Sequence, residues 1–164
     1  MPPEAMESRF ASAGESPGFL LWRVSNAWQQ RQRAALHPLG LTHVQFVLLA
    51  SLVWLTQRGA TVTQADLAAQ AQTDPMMTSQ VVRALEARGL LTRTTSAADR
   101  RARVLTPTSA GAELAAAAIT VVEAVDAGCF AAGDAASLQG IAQRLGLPGM
   151  QNGRTWSVTE GDGS

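Results

Sequence analysis

The chain has 164 residues, with 13 basic and 13 acidic side chains, two histidines and one cysteine. That length suits a single domain with its own core, the lone Cys129 excludes an internal disulfide and suits a reducing compartment, and zero net charge by itself neither requires nor excludes a nucleic-acid partner. The longest apolar run, Val44 to Leu55, is interrupted by Gln45 and Ser51 and is too short for a bilayer, and Glu4, Glu7 and Arg9 break any secretory pattern, so the expectation is a cytoplasmic protein with no membrane partner.

In chain order, residues 1–16 read as a flexible N-terminal segment. Pro17-Gly18 opens a helix that runs to about Leu36 and is closed by His37-Pro38-Leu39-Gly40, because proline disfavours helix at the residue before it and glycine permits the turn. A second helix starts at Thr42, capped with Gln45 three residues on, and stops at Gly59. It is apolar on nearly all sides, which predicts burial all round. Thr63 three residues before Asp66 is a capping pair for a short helix with Leu67 and Ala68 inward. Asp74-Pro75 signals another start, since Asp accepts from unpaired N–H groups and Pro is preorganised for the first helical position. That helix runs from Pro75 to about Arg88, with Gly89 as its left-handed cap. Thr78, Val81, Val82 and Leu85 form its buried stripe. Met76, Ser79, Gln80 and Arg83 are left on its open face, although packing is at least as good a role for the neighbouring Met77.

Two β-rich stretches follow, Leu90 to Thr95 and Arg101 to Thr106, around the polar tip Ser96 to Arg100, which predicts a hairpin. Beyond Thr108 the chain turns helical again, from Ala110 to about Ala127 and from Ala135 to Leu145, with a break between Gly128 and Gly133. From Pro148 onward small and polar residues predict a flexible tail, and Trp156 within it has no assigned role.

Charge is unevenly spread. Between residues 83 and 103 there are six arginines (83, 88, 93, 100, 101, 103) against Glu86 and Asp99, a local excess of four positive charges in a neutral chain. A basic patch on one module is the electrostatic footprint of a DNA binder. An enzyme would need a nucleophile, an acid/base pair, a phosphate loop or metal-ligand spacing, and the sequence offers none of these on recognisable elements. His37 and His43, with no cysteine or acid between them, do not make a metal site, and no cofactor is expected.

Helix, turn, helix and hairpin in this order resemble the MarR family of bacterial winged-helix regulators over roughly residues 18 to 146. The resemblance is carried by Leu39-Gly40-Leu41-Thr42 with Gln45-Phe46, by Val62 to Ala68, by Leu85-Glu86-Ala87-Arg88-Gly89-Leu90-Leu91 and by Asp99-Arg100-Arg101-Ala102. Two departures stand out. Pro107-Thr108 replaces the Leu-Thr pair usual after the wing, altering the entry to the next helix, and Ser96-Ala97-Ala98 replaces an Asp-Pro-Arg run, removing a phosphate contact.

The resemblance implies a mainly α fold with a small β-wing. It comprises a winged helix-turn-helix DNA-binding lobe over about 61–107 and a helical dimerisation region from 17–37 and 108–147, within a domain spanning 17–147 and followed by the tail 148–164. The implied function is a homodimeric repressor on a palindromic double-stranded operator, modulated by a small aromatic or amphipathic effector. Met76, Ser79, Gln80 and Arg83 would meet the major groove, Arg101 the minor groove, and Arg93, Arg100 and Arg103 phosphates, with Asp99 orienting an arginine. Four neutralised phosphates per subunit would give a log K against log salt slope near about −7. By position, Trp22, Trp28, His37, His43, Phe46 and Trp54 are candidates for an effector cleft, each with a plain core role as the competing reading. Cys129 lies far from the position of the family's peroxide-sensing thiols and reads as a buried spectator. The alternative to the regulator is a winged-helix dimerisation or protein-interaction module without specific DNA binding.

Overall fold

The computed structural model describes residues 8–95 and 103–147. The wing-tip residues Asp99, Arg100 and Arg101, and Trp156 in the tail, lie outside them. A 3-10 turn at Ala13–Glu15 falls within the stretch expected to be loose and leads to Ser16, whose side chain accepts from Phe19 N and starts α1, Pro17–Leu36. A second 3-10 turn, His37–Leu39, ends at Gly40 with φ of 65°, the left-handed conformation that favours glycine. Thr42 then caps α2, His43–Gln57, with the reciprocal Gln45 contact that the spacing predicts.

The strand β1, Val62–Thr63, was not anticipated, being too short to show a period. It is followed by α3, Gln64–Ala71, α4, Pro75–Ala87, β2, Leu91–Thr95, and β3, Arg103–Pro107. The hairpin is therefore part of a three-stranded antiparallel sheet in the order β1-β3-β2, with Val62 opposite Leu105 and Leu91 opposite Pro107. The departure at Pro107-Thr108 is accommodated without loss. Pro107 ends the ladder, and Thr108 caps α5, Ser109–Cys129, accepting from Gly111 N at 3.1 Å while donating to Gly89 O at 2.7 Å. Helix α5 ends at Cys129, the break falls between Gly128 and Gly133 as the sequence predicts, and α6 covers Asp134–Arg144.

One core joins these parts. Leu36, Leu48, Leu49 and Leu52 from the first two helices meet Leu67, Val82 and Leu85 from α3 and α4, Leu91 and Leu105 from the sheet, and Ala115 and Ala118 from α5. Helix α2 is the central post, but it is not buried all round. His43, Val47 and Ala50 are half-buried and Trp54 is exposed, a stripe at helical spacing that the other described residues do not close over fully. At Gly111 the packing leaves no room for a side chain: a Cβ there would fall 1.9 Å from Leu90 O, so α5 crosses the start of the hairpin backbone to backbone.

Candidate nucleic-acid interface

The reading helix is fixed at its start by a closed set of hydrogen bonds. Asp74 Oδ1 accepts from Met76 N at 2.8 Å and Met77 N at 3.0 Å, satisfying two of the orphan donors of α4. The Thr78 hydroxyl, fully buried, donates to Asp74 O at 2.9 Å and so accepts from Thr73 Oγ1 at 2.7 Å. One helix earlier Thr63 and Asp66 cap α3 reciprocally, with Asp66 Oδ2 accepting from Thr63 N at 2.8 Å. Gln72 closes α3 at φ of 52°, a left-handed conformation held by a side chain that donates to Ala69 O at 3.0 Å. The two helices thus meet in a tight, fully capped turn.

Beneath α4, Thr78, Val81, Val82 and Leu85 are buried as their spacing predicts. On the other side Met76 is 71% exposed, Gln80 and Arg83 are exposed, and Ser79 is half-buried. Positions 76, 80 and 83 lie one above another, a single open row. Met77 is exposed too, so the packing role considered for it is not the one it has.

The arginines divide into two groups. Arg93 Nε donates to Glu86 Oε2 at 2.7 Å, and the pair ties the base of the hairpin to α4. The hydrogen bond from Arg93 holds the Glu86 carboxyl below the usual carboxylate range, burial opposes it, and the charges of Arg93 and Arg103 add to it. Arg88 Nη1 donates to Gly40 O at 2.8 Å. These two face the protein. Among the described residues Arg83 Nε reaches only its own helix, to Ser79 O at 3.3 Å, and Arg103 Nη1 donates to Thr95 Oγ1 at 3.0 Å across the hairpin, and both residues are exposed.

Comparison with known proteins decides what this lobe belongs to. The MarR family model matches residues 41–102, from the turn before α2 to the stretch before β3. The chain is 45% identical over 125 residues to the HTH-type transcriptional regulator YdcH of Bacillus subtilis, covering 76% of this chain and 85% of that protein. The chain belongs to the MarR family. A second relative in keeping with this is the HTH-type transcriptional repressor Rv2887 of Mycobacterium tuberculosis, 37% identical over 116 residues, with 70% of this chain and 81% of that protein covered. Among solved structures, CouR of Rhodococcus jostii RHA1 superposes with a TM-score of 0.73 at 27% identity, covering 85% of this chain and 97% of that one. The fold is thus that of the MarR winged-helix regulators, and the protein is a transcriptional regulator rather than an enzyme.

Of the six residues expected at an effector cleft in this MarR protein, the structure brings two together. The Trp28 and His43 rings meet edge to face with centroids 5.0 Å apart. Phe46 is a core residue, His37 is exposed on its 3-10 turn, Trp22 is 68% exposed on α1, and Trp54 lies under the Arg58 guanidinium at 4.0 Å. Three neighbours of the Trp28–His43 pair were missed. Asp126 Oδ1 accepts from Trp28 Nε1 and from Gln32 Nε2, each at 2.7 Å, Gln32 is fully buried with no partner on Oε1 among the described residues, and the Phe130 ring lies 6.4 Å from that of Trp28. Their signal was faint, since α1 and α5 are 94 to 98 residues apart where they pair. Burial pushes the His43 pKa down, the Arg33 charge adds to this, and Asp126 opposes it. Cys129 is partly exposed rather than buried, because it ends α5 beside α1, where its Sγ accepts from Arg31 Nη1 at 3.2 Å.

Proposed function

We propose that this MarR-family regulator is a homodimeric repressor that binds a pseudo-palindromic double-stranded operator. The observation that carries the reading is the open row Met76, Gln80 and Arg83 on a helix whose start is locked by Asp74 and whose other face is buried. A rigid helix with base-reading side chains on its free face is what major-groove readout needs. Ser79 sits beside that row, and the family resemblance assigns Arg100 and Arg103 to phosphates and Arg101 to the minor groove, with Asp99 to orient an arginine.

The dimer is supported by apolar surface. Phe19, Leu20, Leu21, Trp22 and Val24 on α1, Ile119 on α5, and Leu138, Ile141 and Leu145 at α6 are all exposed. Helix α6 has 11 residues, of which only Ala142 is buried, and a helix that short is marginal in water without a partner. A second copy covering this surface would place two α4 helices about one turn of DNA apart. The operator places the protein in the cytoplasm.

The effector reading is supported by the Trp28–His43 pair and by relatives: CouR was solved bound to p-coumaroyl-CoA and Rv2887 in complex with p-aminosalicylic acid. A small aromatic molecule against Trp28 and His43 would sit between α1, α2 and α5 and shift the spacing of the two reading heads.

The deciding experiment is binding of the purified protein to the DNA upstream of its own coding sequence, at two salt concentrations and against an unrelated duplex. A competitor-resistant, salt-steep complex of two subunits per site is expected. No specific complex at any ionic strength would favour the interaction module instead.

A further inference from the structure

We propose that Arg88 is a positioning residue for DNA recognition: its guanidinium clamps the end of α4 to the α1–α2 elbow and so sets the angle, and in the dimer the spacing, at which α4 is presented. The inference rests on the operator-binding reading above. It concerns an arginine of the basic patch that does not face DNA.

The clamp has a rigid root. Arg88 is the C-cap of α4, its own N–H bonded to Ala84 O at 3.2 Å, and it is followed by Gly89, whose N–H donates to Glu86 O at 2.8 Å, and by buried Leu90. From there Nη1 reaches 48 residues back to Gly40 O at 2.8 Å, and it also lies 3.5 Å from Gln45 Oε1. Gln45 Oε1 in turn accepts from Thr42 N at 3.1 Å in the capping box of α2. One guanidinium therefore touches the residue that closes the 3-10 turn of the elbow and the first turn of the helix leaving it.

The elbow is built to receive it. Gly40 holds φ of 65°, and a Cβ there would lie 3.6 Å from Arg88 Nη2, so the guanidinium lies over a residue with no side chain. The apolar packing of α2 against α4 keeps the two helices together but is non-directional. A short charge-assisted hydrogen bond is directional, and Arg88 supplies one at the point where the dimer-forming α1 gives way to α2. Because the bond is exposed, it adds little to stability. Its effect is on geometry.

The test uses the full chain, a duplex that the wild-type protein selects from a random pool, and the same duplex with one base pair inserted or deleted between its half-sites. Arg88→Met keeps the aliphatic stem and loses the donors, and Arg88→Lys restores one cation. Arg88→Met is expected to lose about tenfold in affinity at the selected spacing and less than about twofold at the altered ones. Its salt slope and dimerisation should stay unchanged, with Arg88→Lys in between. In the free protein, amide exchange over residues 37–46 should quicken in Arg88→Met.

Equal loss at every spacing with a slope shallower by about 2 per dimer would make Arg88 a phosphate contact and overturn the proposal. Unchanged affinity at every spacing would overturn it as well. Should Arg88→Met fail to fold, the comparison runs on Arg88→Lys. If the wild-type protein selects no duplex, the operator reading fails, and unchanged exchange at the elbow would separately reject the clamp.

Discussion

Arg93 donates through Nε to Glu86 Oε2 at 2.7 Å, which commits the arginine at the base of the wing to the recognition helix. An ion-paired guanidinium has already lost much of what it would gain at a phosphate, so for the proposed operator complex the expected number of phosphates neutralised falls from about four per subunit to about three.

The dimer's log K against log salt slope is therefore expected near about −5 rather than −7. Arg93→Ala should leave that slope unchanged, whereas Glu86→Gln, which frees Arg93, should move it toward about −7 and tighten binding at low salt. Titration of operator affinity from about 50 to 200 mM salt measures all three. A shallower slope in Arg93→Ala would return Arg93 to the phosphates. The same pair contributes pH dependence. With the Glu86 carboxyl held low, its contribution to folding is present above the unfolded-state value and is lost as pH falls through the depressed one.

Gln80 stands exposed on the open row of α4, between Met76 and Arg83. Its amide can donate and accept in one plane, the geometry that pairs with an adenine edge. Gln80→Ala should cost about 1–3 kcal/mol on the preferred operator and relax selection at one base pair of each half-site. Selection from a randomised half-site reads this directly, and an undiminished preference at every position would remove Gln80 from the base-reading set.

Gly111 meets Leu90 O so closely that a Cβ would sit 1.9 Å from it, and the obstacle is backbone. Gly111→Ala must push α5 off the hairpin, where Thr108 already bonds both Gly89 O and Gly111 N. A loss of about 1–3 kcal/mol or more in chemical denaturation is expected. Near-wild-type stability would mean that α5 shifts without cost.

These contacts show why some features were legible in the sequence and others were not. Caps and stripes are local: Thr63 with Asp66, Asp74 with Pro75, and the Thr78, Val81, Val82, Leu85 series lie within a few residues of one another, and the structure has them as read. What could not be read was long-range. The pairing of Val62 with Leu105 depends on two residues of strand, Asp126 meets Trp28 across 98 residues, and Arg88 finds Gly40 across 48. Composition marked Arg88 and Arg93 as part of a basic patch but could not say that both bond back to the protein, to Gly40 and Glu86. Residue type and position along the chain alone do not separate Phe46, a core residue, from Trp28 and His43, whose rings touch.

That touching pair carries a pH prediction. His43 opens α2 with its ring edge against Trp28, and burial first, then Arg33, push its pKa below the ordinary imidazole value, while Asp126, bonded to Trp28 and Gln32, pulls the other way. A histidine whose folded pKa lies below its unfolded one takes up its proton more readily when unfolded. Its contribution to stability is thus complete above the unfolded value of about 6.5 and declines as pH falls from there toward the folded value. The melting temperature should therefore drop between about pH 7 and 5.5 more steeply in the wild-type protein than in His43→Phe, which keeps an aromatic edge on Trp28 but cannot titrate. Asp126→Asn removes the charge that favours the protonated imidazole, so the His43 resonance in a proton NMR titration should shift to a still lower pKa. A His43 pKa that rises in Asp126→Asn, or parallel melting curves for wild type and His43→Phe, would mean that the imidazole is not held neutral by this cluster, and that the junction of α1, α2 and α5 does not register pH.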